Sequence, residues 1–577
     1  MGKLKNYITP YRFYIALTLL VKLGAAVAEL FVPFFMERIL REGTVPQQQG
    51  RIFIYGALML LCAGLCLVMN ITANRMSAVS SGKITRKIRS DLFARLNGLS
   101  ARQMDKLTVP SAESRLTSDT YRVNEFLARG QRLGIRAPSL LIGGVIMMVS
   151  MDARLALVPV SLLPIIALSV WLITRKSIPL YAKEQSVLDD VVRVVQENVT
   201  GVRVIRALSK AEFERNRFRG VNDMLTRIDT AAGSVSALNN PIASLVLNLG
   251  LTAVVVAGAY QVSGGHSQPS VIVAFLQYFV MILNAMLGVT RIFIMASRAS
   301  ASAHRVAEVL ALPADLEPLP ERSEEGRQEP VPHIEFRDVS FSYTGVGENI
   351  SHLSFRLYRG QTLGILGATG SGKSTIINLL MRIYDADRGE ILIDGRDVRT
   401  YEKSQLSRMF GVVFQNDFVA EGTIADNIRF FRPMAESQMA DAARDAQAAE
   451  FISGMEGGME ASVAIRGNNL SGGQRQRLLI ARALAGSPDI LVLDDASSAL
   501  DYRTDAQLRR ALRANHSHTT TVLVAQRISS VRHADWILVL DDGKVIGAGK
   551  HEELMEKCGE YRLIADTQMG TGEEAGA

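Results

Sequence analysis

The chain has 577 residues, a formal net charge of +7 at pH 7 and 48% apolar residues. This length exceeds that of one compact domain and predicts at least two units. Three cysteines in such a chain exclude a disulfide scaffold. A positive balance can indicate nucleic-acid binding, but the placement of the basic residues favours membrane topology as its cause, so no nucleic-acid partner is predicted.

Most of the long apolar runs lie in the first 300 residues. Six of them have about the 20-residue length that is needed to cross a bilayer core. They are Phe13–Met36, Ile52–Ala73, Leu133–Met151, Leu155–Thr174, Pro241–Val262 and Val271–Ala296. The sequence therefore predicts an α-helical, six-span membrane domain over residues 1–311. Arg136 and Pro138 near its start make the third span the weakest.

The basic residues between the spans predict the orientation of this domain. The two long connections, Arg75–Gly130 and Arg175–Asn240, each hold eleven Lys and Arg residues, and the turn Ser263–Ser270 holds none. Because positive charge marks the cytoplasmic side, we expect both long loops and both termini to be cytoplasmic. Apolar residues at helical spacing predict that the loops are helices continuing out of the membrane. Their tips are expected to contact another domain.

Two ionisable residues lie within the first predicted span. Lys22 and Glu29 are seven positions apart and so share one face of a helix. A charge at mid-membrane costs several kcal/mol and usually faces a cavity or a partner. Two interpretations remain open: a polar lining for a transport path, or an interhelical salt bridge or snorkelling to the head groups.

A change of composition marks the end of the membrane domain. Residues 312–332 are rich in Pro and Glu and have no apolar periodicity, which is typical of a linker. After the linker, residues 333–577 show a strand–turn–helix pattern. We expect this part of the chain to form a second, α/β domain.

The most specific motif of the chain is Gly367–Ser374, which fits G-x-x-x-x-G-K-[ST] after the predicted strand Thr362–Leu366. Its glycines let backbone N–H groups approach phosphate oxygens, and the following helix N-terminus favours negative charge. Lys373 is expected to reach the β and γ phosphates, and Ser374 to ligate Mg²⁺. The predicted phosphate-binding residues are Gly367, Ala368, Thr369, Gly370, Ser371, Gly372, Lys373, Ser374 and Thr375.

Two later segments complete the predicted site. The strand Ile490–Leu493 delivers Asp494, a carboxylate suited to Mg²⁺. Between the two strands, residues 469–477 read NLSGGQRQR, in which adjacent glycines precede an apolar helix. This is a second anion-binding helix terminus. Two such termini far apart in one chain indicate a dimer in which each nucleotide is sandwiched.

Taken together, these residues resemble the ATP-binding cassette (ABC) family. The six spans, two long loops and single cassette resemble a half-transporter of the exporter type. The resemblance implies a type IV exporter fold, in which an α-helical six-span domain precedes an α/β P-loop nucleotide-binding domain. It also implies ATP and Mg²⁺ as cofactors, a bacterial plasma membrane, and an ATPase domain in the cytoplasm.

The resemblance assigns further residues one at a time. Tyr343 corresponds to the aromatic residue that stacks on adenine, and Gln415 to the glutamine that contacts Mg²⁺ and senses the membrane domain. With Ser374 and Asp494, Gln415 completes the implied Mg²⁺ site. The implied signature motif, which caps the γ-phosphate held by a partner cassette, comprises Ser471, Gly472, Gly473 and Gln474.

This chain departs from the family pattern at the two catalytic positions. Asp495 stands where the family has the glutamate that polarises the attacking water, and Gln526 where it has the switch histidine. Beside an intact signature motif, this pair resembles the degenerate half of heterodimeric bacterial exporters. We therefore expect a second, homologous half-transporter as partner, with hydrolysis mainly at the partner's site.

The substrate is expected to be an amphipathic small molecule, a drug or a lipid-like compound that moves out of the cell. The spans themselves would contact membrane lipid. Two alternatives remain: transport of a dedicated peptide, lipid or siderophore, and a membrane-anchored ATP sensor that regulates a partner.

Overall fold

The computed structural model describes residues 4–43, 49–313, 316–320, 330–415, 417–496 and 498–569. The chain separates into two compact units. One comprises Met1–Asn97 and Val109–Leu312, and the other comprises Gly98–Thr108 and Pro313–Ala577. Within the predicted linker 312–332, residues 314–315 and 321–329 lie outside the described residues.

Long helices build the first unit. The helices of this part of the chain are α1 Lys5–Ile8, α2 Arg12–Gly43, α3 Gln49–Asn97, α4 Ala101–Leu107, α5 Val109–Ser114, α6 Thr120–Met151, α7 Ala153–Thr200, α8 Val202–Ala207, α9 Ala211–Ala237, α10 Asn239–Ser263 and α11 Pro269–Leu310. Within the described ranges, six helical stretches are long and apolar enough to cross a membrane. Five of them contain a predicted span in full, and Pro269–Val289 overlaps most of the sixth, Val271–Ala296. Six spanning helices are therefore confirmed.

Several of these helices are much longer than the spans that the hydropathy predicts. Helix α3 has 49 residues and α7 has 48. At 1.5 Å per residue each measures about 70 Å, more than twice the ~30 Å bilayer core. The loops are thus helical extensions of the spans, as predicted. Pro138, which weakened the third predicted span, lies inside the continuous helix α6; such prolines are tolerated in spanning helices.

Glycines allow these helices to pack closely. A Cβ atom on Gly250 of α10 would lie 2.4 Å from the Phe279 ring of α11. A Cβ on Gly144 of α6 would lie 2.8 Å from Ile282, also on α11. Both distances are too short for a side chain, so these helices approach each other only because the residues are glycine.

Helix α4, the tip of the first long loop, belongs to the second unit. Its Ser100 cap and Gln103 form a reciprocal capping box. Arg102 donates to the carbonyl of Ser342 at 3.1 Å. The hydroxyl of Tyr384 donates to the Asp105 carboxylate at 2.6 Å. The expected contact between a loop tip and the second domain is therefore present for this loop.

The second unit is an α/β fold. Its strands are β1 Ile334–Phe341, β2 Ile350–Leu357, β3 Thr362–Gly367, β4 Arg388–Ile393, β5 Arg396–Asp397, β6 Phe410–Val413, β7 Gly422–Thr423, β8 Ser462–Val463, β9 Ile490–Asp494, β10 Thr520–Val524, β11 Trp536–Asp541 and β12 Lys544–Gly549. Its remaining helices are α12 Lys373–Leu380, α13 Lys403–Met409, α14 Ile424–Arg429, α15 Glu436–Asp445, α16 Ala449–Ser453, α17 Gly472–Leu484, α18 Tyr502–Asn515, α19 Ile528–Val531, α20 His551–Lys557 and α21 Gly559–Met569.

One sheet of this unit positions the site. Its strand order is β12-β11-β3-β10-β9-β6, and the five strands from β11 to β6 are parallel. All five residues of β9 are buried, as expected of a parallel strand covered on both faces. A separate antiparallel sheet has the order β2-β1-β4-β5.

The contact between Tyr384 and Asp105 should hold α4 in place. Removal of the hydroxyl in Tyr384→Phe leaves a carboxylate without this donor, so α4 should open more often. Because such a bond contributes about 1.5 kcal/mol, we expect amide hydrogen exchange over residues 98–108 to accelerate about tenfold, measured by mass spectrometry.

Amide hydrogen exchange in α12 should be the same in Tyr384→Phe as in the unaltered chain. Tyr358→Phe, at a tyrosine on another surface of the same unit, is the matched control. Equal exchange of α4 in Tyr384→Phe and in the unaltered chain would show that this bond does not hold the helix.

Candidate nucleotide-binding site

The site lies where four neighbouring parallel strands end. Strand β3 ends at Gly367 and opens the phosphate loop, and β9 ends at Asp494. Gln526 follows the end of β10, which lies between them, and Gln415 follows the end of β6. Because the carboxyl ends of parallel strands meet at one edge of a sheet, four distant segments converge on one place.

These segments surround a cavity of about 280 Å³. It is lined by Tyr343, Asn349, Thr369, Gly370, Gly372, Lys373, Ser374, Thr375, Gln415, Asp494, Asp495, Val524 and Gln526. Eleven of the residues that were predicted for nucleotide, metal or catalysis, Gln526 among them, thus line one cavity. Gly367, Ala368 and Ser371 belong to the same phosphate loop.

The phosphate loop needs its glycines for steric reasons. Gly370 and Gly372 have φ angles of +89° and +100°, a region that other residues rarely adopt. A Cβ on Gly372 would lie 2.6 Å from Ile350 Cδ1 and 2.9 Å from the carbonyl oxygen of Asn349. The loop therefore follows its tight path only with glycine at these positions.

Two donors in the loop fit an anionic ligand. The hydroxyl of Ser371 is buried and, among the described residues, has no hydrogen-bond partner, which is costly unless a ligand accepts from it. The Lys373 Nζ atom donates to the carbonyls of Gly367 at 2.8 Å and Ala368 at 2.6 Å. Burial lowers the pKa of Lys373. A phosphate group would accept a hydrogen bond from Ser371 and would stabilise the charged form of Lys373, so the loop fits a nucleotide.

The predicted metal ligands are also adjacent. The hydroxyl of Ser374 donates to Asp494 Oδ2 at 2.9 Å, and Gln415 lines the same cavity. Burial raises the pKa of Asp494, and the charge of Asp495 raises it further. Hydroxyl, amide and carboxylate oxygens are the donors that Mg²⁺ prefers. When bound, Mg²⁺ neutralises charge on the phosphate oxygens.

The two residues that depart from the expected catalytic pattern touch each other. The side-chain amide of Gln526 donates to Asp495 Oδ2 at 3.2 Å. Asp495 has a φ angle of +53°, and its backbone N–H donates to the carbonyl of Val524 at 3.0 Å. The carboxylate beside the phosphate loop is thus paired with a neutral amide, which carries no positive charge.

Tyr343 is fixed at the edge of the cavity. Its ring packs edge to face against Phe341 at 4.8 Å and Tyr384 at 5.1 Å. Its hydroxyl donates to Thr375 Oγ1 at 3.3 Å. Tyr343 as a whole is 37% exposed, so an aromatic residue is accessible next to the phosphate loop for a base to stack on.

The signature residues lie elsewhere in the chain's fold. Ser471 caps α17: its hydroxyl accepts from the N–H of Gln474 at 3.2 Å, and its own N–H donates to Gln474 Oε1 at 2.9 Å. Ser471 and Gly472 are exposed, and Gly473 and Gln474 follow them in the first turn. In the part of the chain that the structure describes, none of the four lines the phosphate-loop cavity.

Comparison with known proteins identifies the family. The model of the ABC transporter transmembrane region matches residues 15–286, and the ABC transporter model matches residues 350–498. An uncharacterized ABC transporter ATP-binding protein of Mycobacterium tuberculosis is 34% identical over 573 residues, covering 98% of each chain. This chain belongs to the ABC transporter family. It is a multi-pass membrane protein with a transport ATPase domain.

Other relatives of this ABC transporter span its whole length. An uncharacterized ABC transporter ATP-binding protein of Bacillus subtilis is 32% identical, covering 99% of each chain. An ATP-dependent lipid A-core flippase of Vibrio vulnificus is 29% identical over 99% of this chain and 98% of its own. A solved bacterial Atm1-family ABC exporter with ATP bound has a TM-score of 0.80 at 24% identity, covering 98% and 99%. The fold is therefore the type IV exporter fold.

Two residues of the ABC transporter site were missed by sequence reasoning. Gln568 on α21 donates to the carbonyl of Gln526 and accepts from the N–H of Ile528, both at 2.8 Å, and so holds residues 526–528 in place. Asn349 accepts from the backbone N–H of Tyr343 at 3.0 Å. Neither lies in a motif, and a lone polar residue far from the phosphate loop carries no signal in the sequence.

Lys373 provides a direct test of the assigned site. In Lys373→Ala the cavity loses its cation, and a hydrogen bond to a charged group contributes about 1.5–3 kcal/mol. We therefore expect affinity for a fluorescent ATP analogue to fall at least about tenfold, measured by anisotropy on the purified full chain.

Lys544→Ala, at an exposed position at the start of β12, is the control and should bind as the unaltered chain does. Undiminished affinity in Lys373→Ala would place the nucleotide elsewhere.

Proposed function

We propose that this chain is one half of a heterodimeric, ATP-driven exporter and that its own nucleotide site hydrolyses ATP slowly. The contact between Gln526 and Asp495 carries this proposal. Both catalytic positions differ from the family pattern, and the two differing side chains bind each other.

The chemistry of the pair explains slow hydrolysis. Aspartate is one methylene shorter than glutamate, which sets its carboxylate back by about 1.5 Å. A misplacement of about 1 Å in a reacting group can cost about 10²-fold in rate. The amide of Gln526 also occupies Asp495 Oδ2 and cannot exchange a proton at neutral pH as histidine does.

Two surfaces of the chain support a partner. Among the described residues, none of Ser471 to Gln474 lines the phosphate-loop cavity of its own chain, which leaves them available to close the site of another. At the tip of the second long loop, the apolar side chains of Val199, Val204 and Leu208 are all more than 60% exposed. Clusters of this kind mark protein contacts. A homologous half-transporter with glutamate and histidine at the two catalytic positions would supply the hydrolytic site that this chain lacks.

The cargo that fits best is an amphipathic small molecule, a drug or a lipid-like compound. A relative named as a lipid A-core flippase is consistent with such cargo. The eleven basic residues on each long loop support a topology in which these loops, the termini and the ATPase domain lie in the cytoplasm of a bacterium and the spans lie in its plasma membrane. We propose that the cargo moves outward, because the chain has an exporter fold.

A second candidate function rests on the same catalytic pair. A chain that binds ATP but scarcely hydrolyses it could act as a membrane-anchored ATP sensor that regulates its partner. ATP-dependent movement of cargo in vesicles that contain both halves distinguishes the two, because a sensor alone moves nothing.

Restoring the catalytic pair should restore hydrolysis. We expect little Mg²⁺-dependent ATPase activity from the purified chain alone. Asp495→Glu combined with Gln526→His should raise this activity at least about tenfold. The glutamate would restore the length of the carboxylate side chain, and the histidine would restore a side chain that can be protonated. Phosphate release is the measurement.

Asp495→Asn combined with Gln526→His is the matched control and should stay inactive, because it restores the histidine without the carboxylate. Rapid hydrolysis by the unaltered chain alone would refute the proposal of a degenerate site.

The signature motif should serve the partner. Ser471→Ala removes the α17 cap and an exposed hydroxyl that could donate to the partner's nucleotide, so hydrolysis by the assembled heterodimer should fall by about tenfold or more. Nucleotide affinity at this chain's own phosphate loop should be unchanged.

Ser453→Ala, at the exposed end of α16, is the control. Normal turnover of the heterodimer with Ser471→Ala would contradict the assignment of this residue to the partner's site.

A further inference from the structure

A polar cavity lies among the spanning helices α2, α3 and α6. Its volume is about 660 Å³. Four basic side chains and one carboxylate line it: Lys22, Arg129, Arg132, Arg136 and Glu29. Lys22, Glu29 and Arg136 lie within predicted spans, and Arg129 and Arg132 lie just before the predicted start of the third span at Leu133. Charged groups inside a spanning segment are costly, and they mark the place where polar cargo or a partner charge is met.

Only part of this positive charge is neutralised by the chain itself. Arg136 binds Glu29 through two hydrogen bonds of 2.7 and 3.1 Å. Arg129 pairs with Glu125 at 2.9 Å. Within the described ranges, Lys22 and Arg132 have no carboxylate within ion-pair distance. The cavity therefore retains a surplus of positive charge.

The unpaired cations are held within the bundle. Lys22 is 5% exposed and donates sideways to the amide oxygens of Asn70 and Asn74 on α3. The Arg132 Nε atom donates to the carbonyl of Ala128 at 3.0 Å, which leaves its other N–H groups for a ligand. Lys22 lies about 15 Å along α2 from Arg12, close to half the depth of the bilayer core. Snorkelling to the head groups, which requires a side chain near a helix end, does not explain Lys22.

An apolar cavity adjoins the polar one. It has a volume of about 480 Å³ and shares Glu29 and Val32 with the polar cavity. The rest of its lining comes from α2, α10 and α11 and includes Leu251, Leu276 and Val280. A charged compartment thus opens next to a hydrocarbon-lined one. This is the arrangement that an amphipathic molecule requires, with its head in one compartment and its tail in the other.

We infer that the cargo class of this chain is an anionic amphiphile. Its phosphate or carboxylate head group binds Arg132 and Lys22, and its apolar tail occupies the cavity beside Val280. This inference rests on the proposed transport function and narrows its range of cargo. A cationic amphiphile is poor cargo because its head group would meet uncompensated positive charge. A neutral amphiphile is poor cargo because its head group would leave the positive charges of the cavity unpaired.

Equilibrium binding to the full chain in nanodiscs tests this inference. Three fluorescent probes share one saturated alkyl chain and differ only in the head: a phosphate monoester, a quaternary ammonium and a neutral glycerol ether. We expect the phosphate probe to bind at least about tenfold more tightly than either of the others, since charge-assisted hydrogen bonds are worth about this much.

Variants locate the head group. Arg132→Gln should remove most of the preference for the phosphate probe, and Arg132→Lys, which keeps the charge, should retain it. Arg86→Gln, at an exposed arginine on α3, is the matched control. Val280→Trp should weaken all three probes alike, because it fills the tail cavity without changing charge.

Several outcomes would overturn the inference. Equal affinity of the unaltered chain for the three probes would overturn it. An unchanged preference for the phosphate probe in Arg132→Gln would also overturn it. Inorganic phosphate that competes as strongly as the long-chain ester would show a site for free anions rather than for amphiphiles.

Failure of the proposed transport function would look different. These measurements use neither ATP nor a partner, so the head-group preference persists even in a protein that moves nothing. A heterodimer that transports cationic cargo while the single chain shows no anion preference would refute the inference and leave the transport function intact.

Discussion

The parallel pairing of β3, β10 and β9 is the constraint on which the nucleotide site depends. Thr521 to Val524 pair with β3 on one side and with β9 on the other. This register brings the phosphate loop, Gln526 and Asp494 to one edge of the sheet. A slip of one residue would move every side chain of β10 to the opposite packed face and shift Gln526 relative to the other two segments, so the core and the site are held by the same pairing.

The membrane unit obeys a different constraint, because a bilayer does not solvate charge. The chain meets this constraint by pairing Glu29 with Arg136 across two helices and by holding Lys22 against amides. The positive charge of Arg132 has no carboxylate partner among the described residues, and this side chain lines the polar cavity. In the ATPase unit the comparable group is the buried hydroxyl of Ser371, which has no hydrogen-bond partner among the described residues. In both units, groups whose interactions the described chain leaves incomplete mark the places where a ligand would be stabilised.

The sequence predicted the parts of this ABC transporter that depend on local pattern. Six apolar runs predicted the spanning helices, and the glycine spacing of residues 367–374 predicted the phosphate loop between a strand and a helix. Helical spacing predicted that the helices continue beyond the spans but not where they end: α3 runs to Asn97, far beyond the apolar run that ends near Ala73. Its polar extension is stabilised by packing with other helices, and a hydropathy window does not register such packing.

The sequence by itself determined the family, the order of the two domains and the identity of the unusual catalytic residues. Only the tertiary structure decided which of these residues meet. It pairs Gln526 with Asp495, anchors Gln526 with Gln568, and joins Glu29 to Arg136, over separations of 31, 42 and 107 residues. Periodicity and motif spacing act over a few turns of chain, so they hold no record of such pairs. These contacts exist because sheet register and helix packing bring distant segments within hydrogen-bond distance.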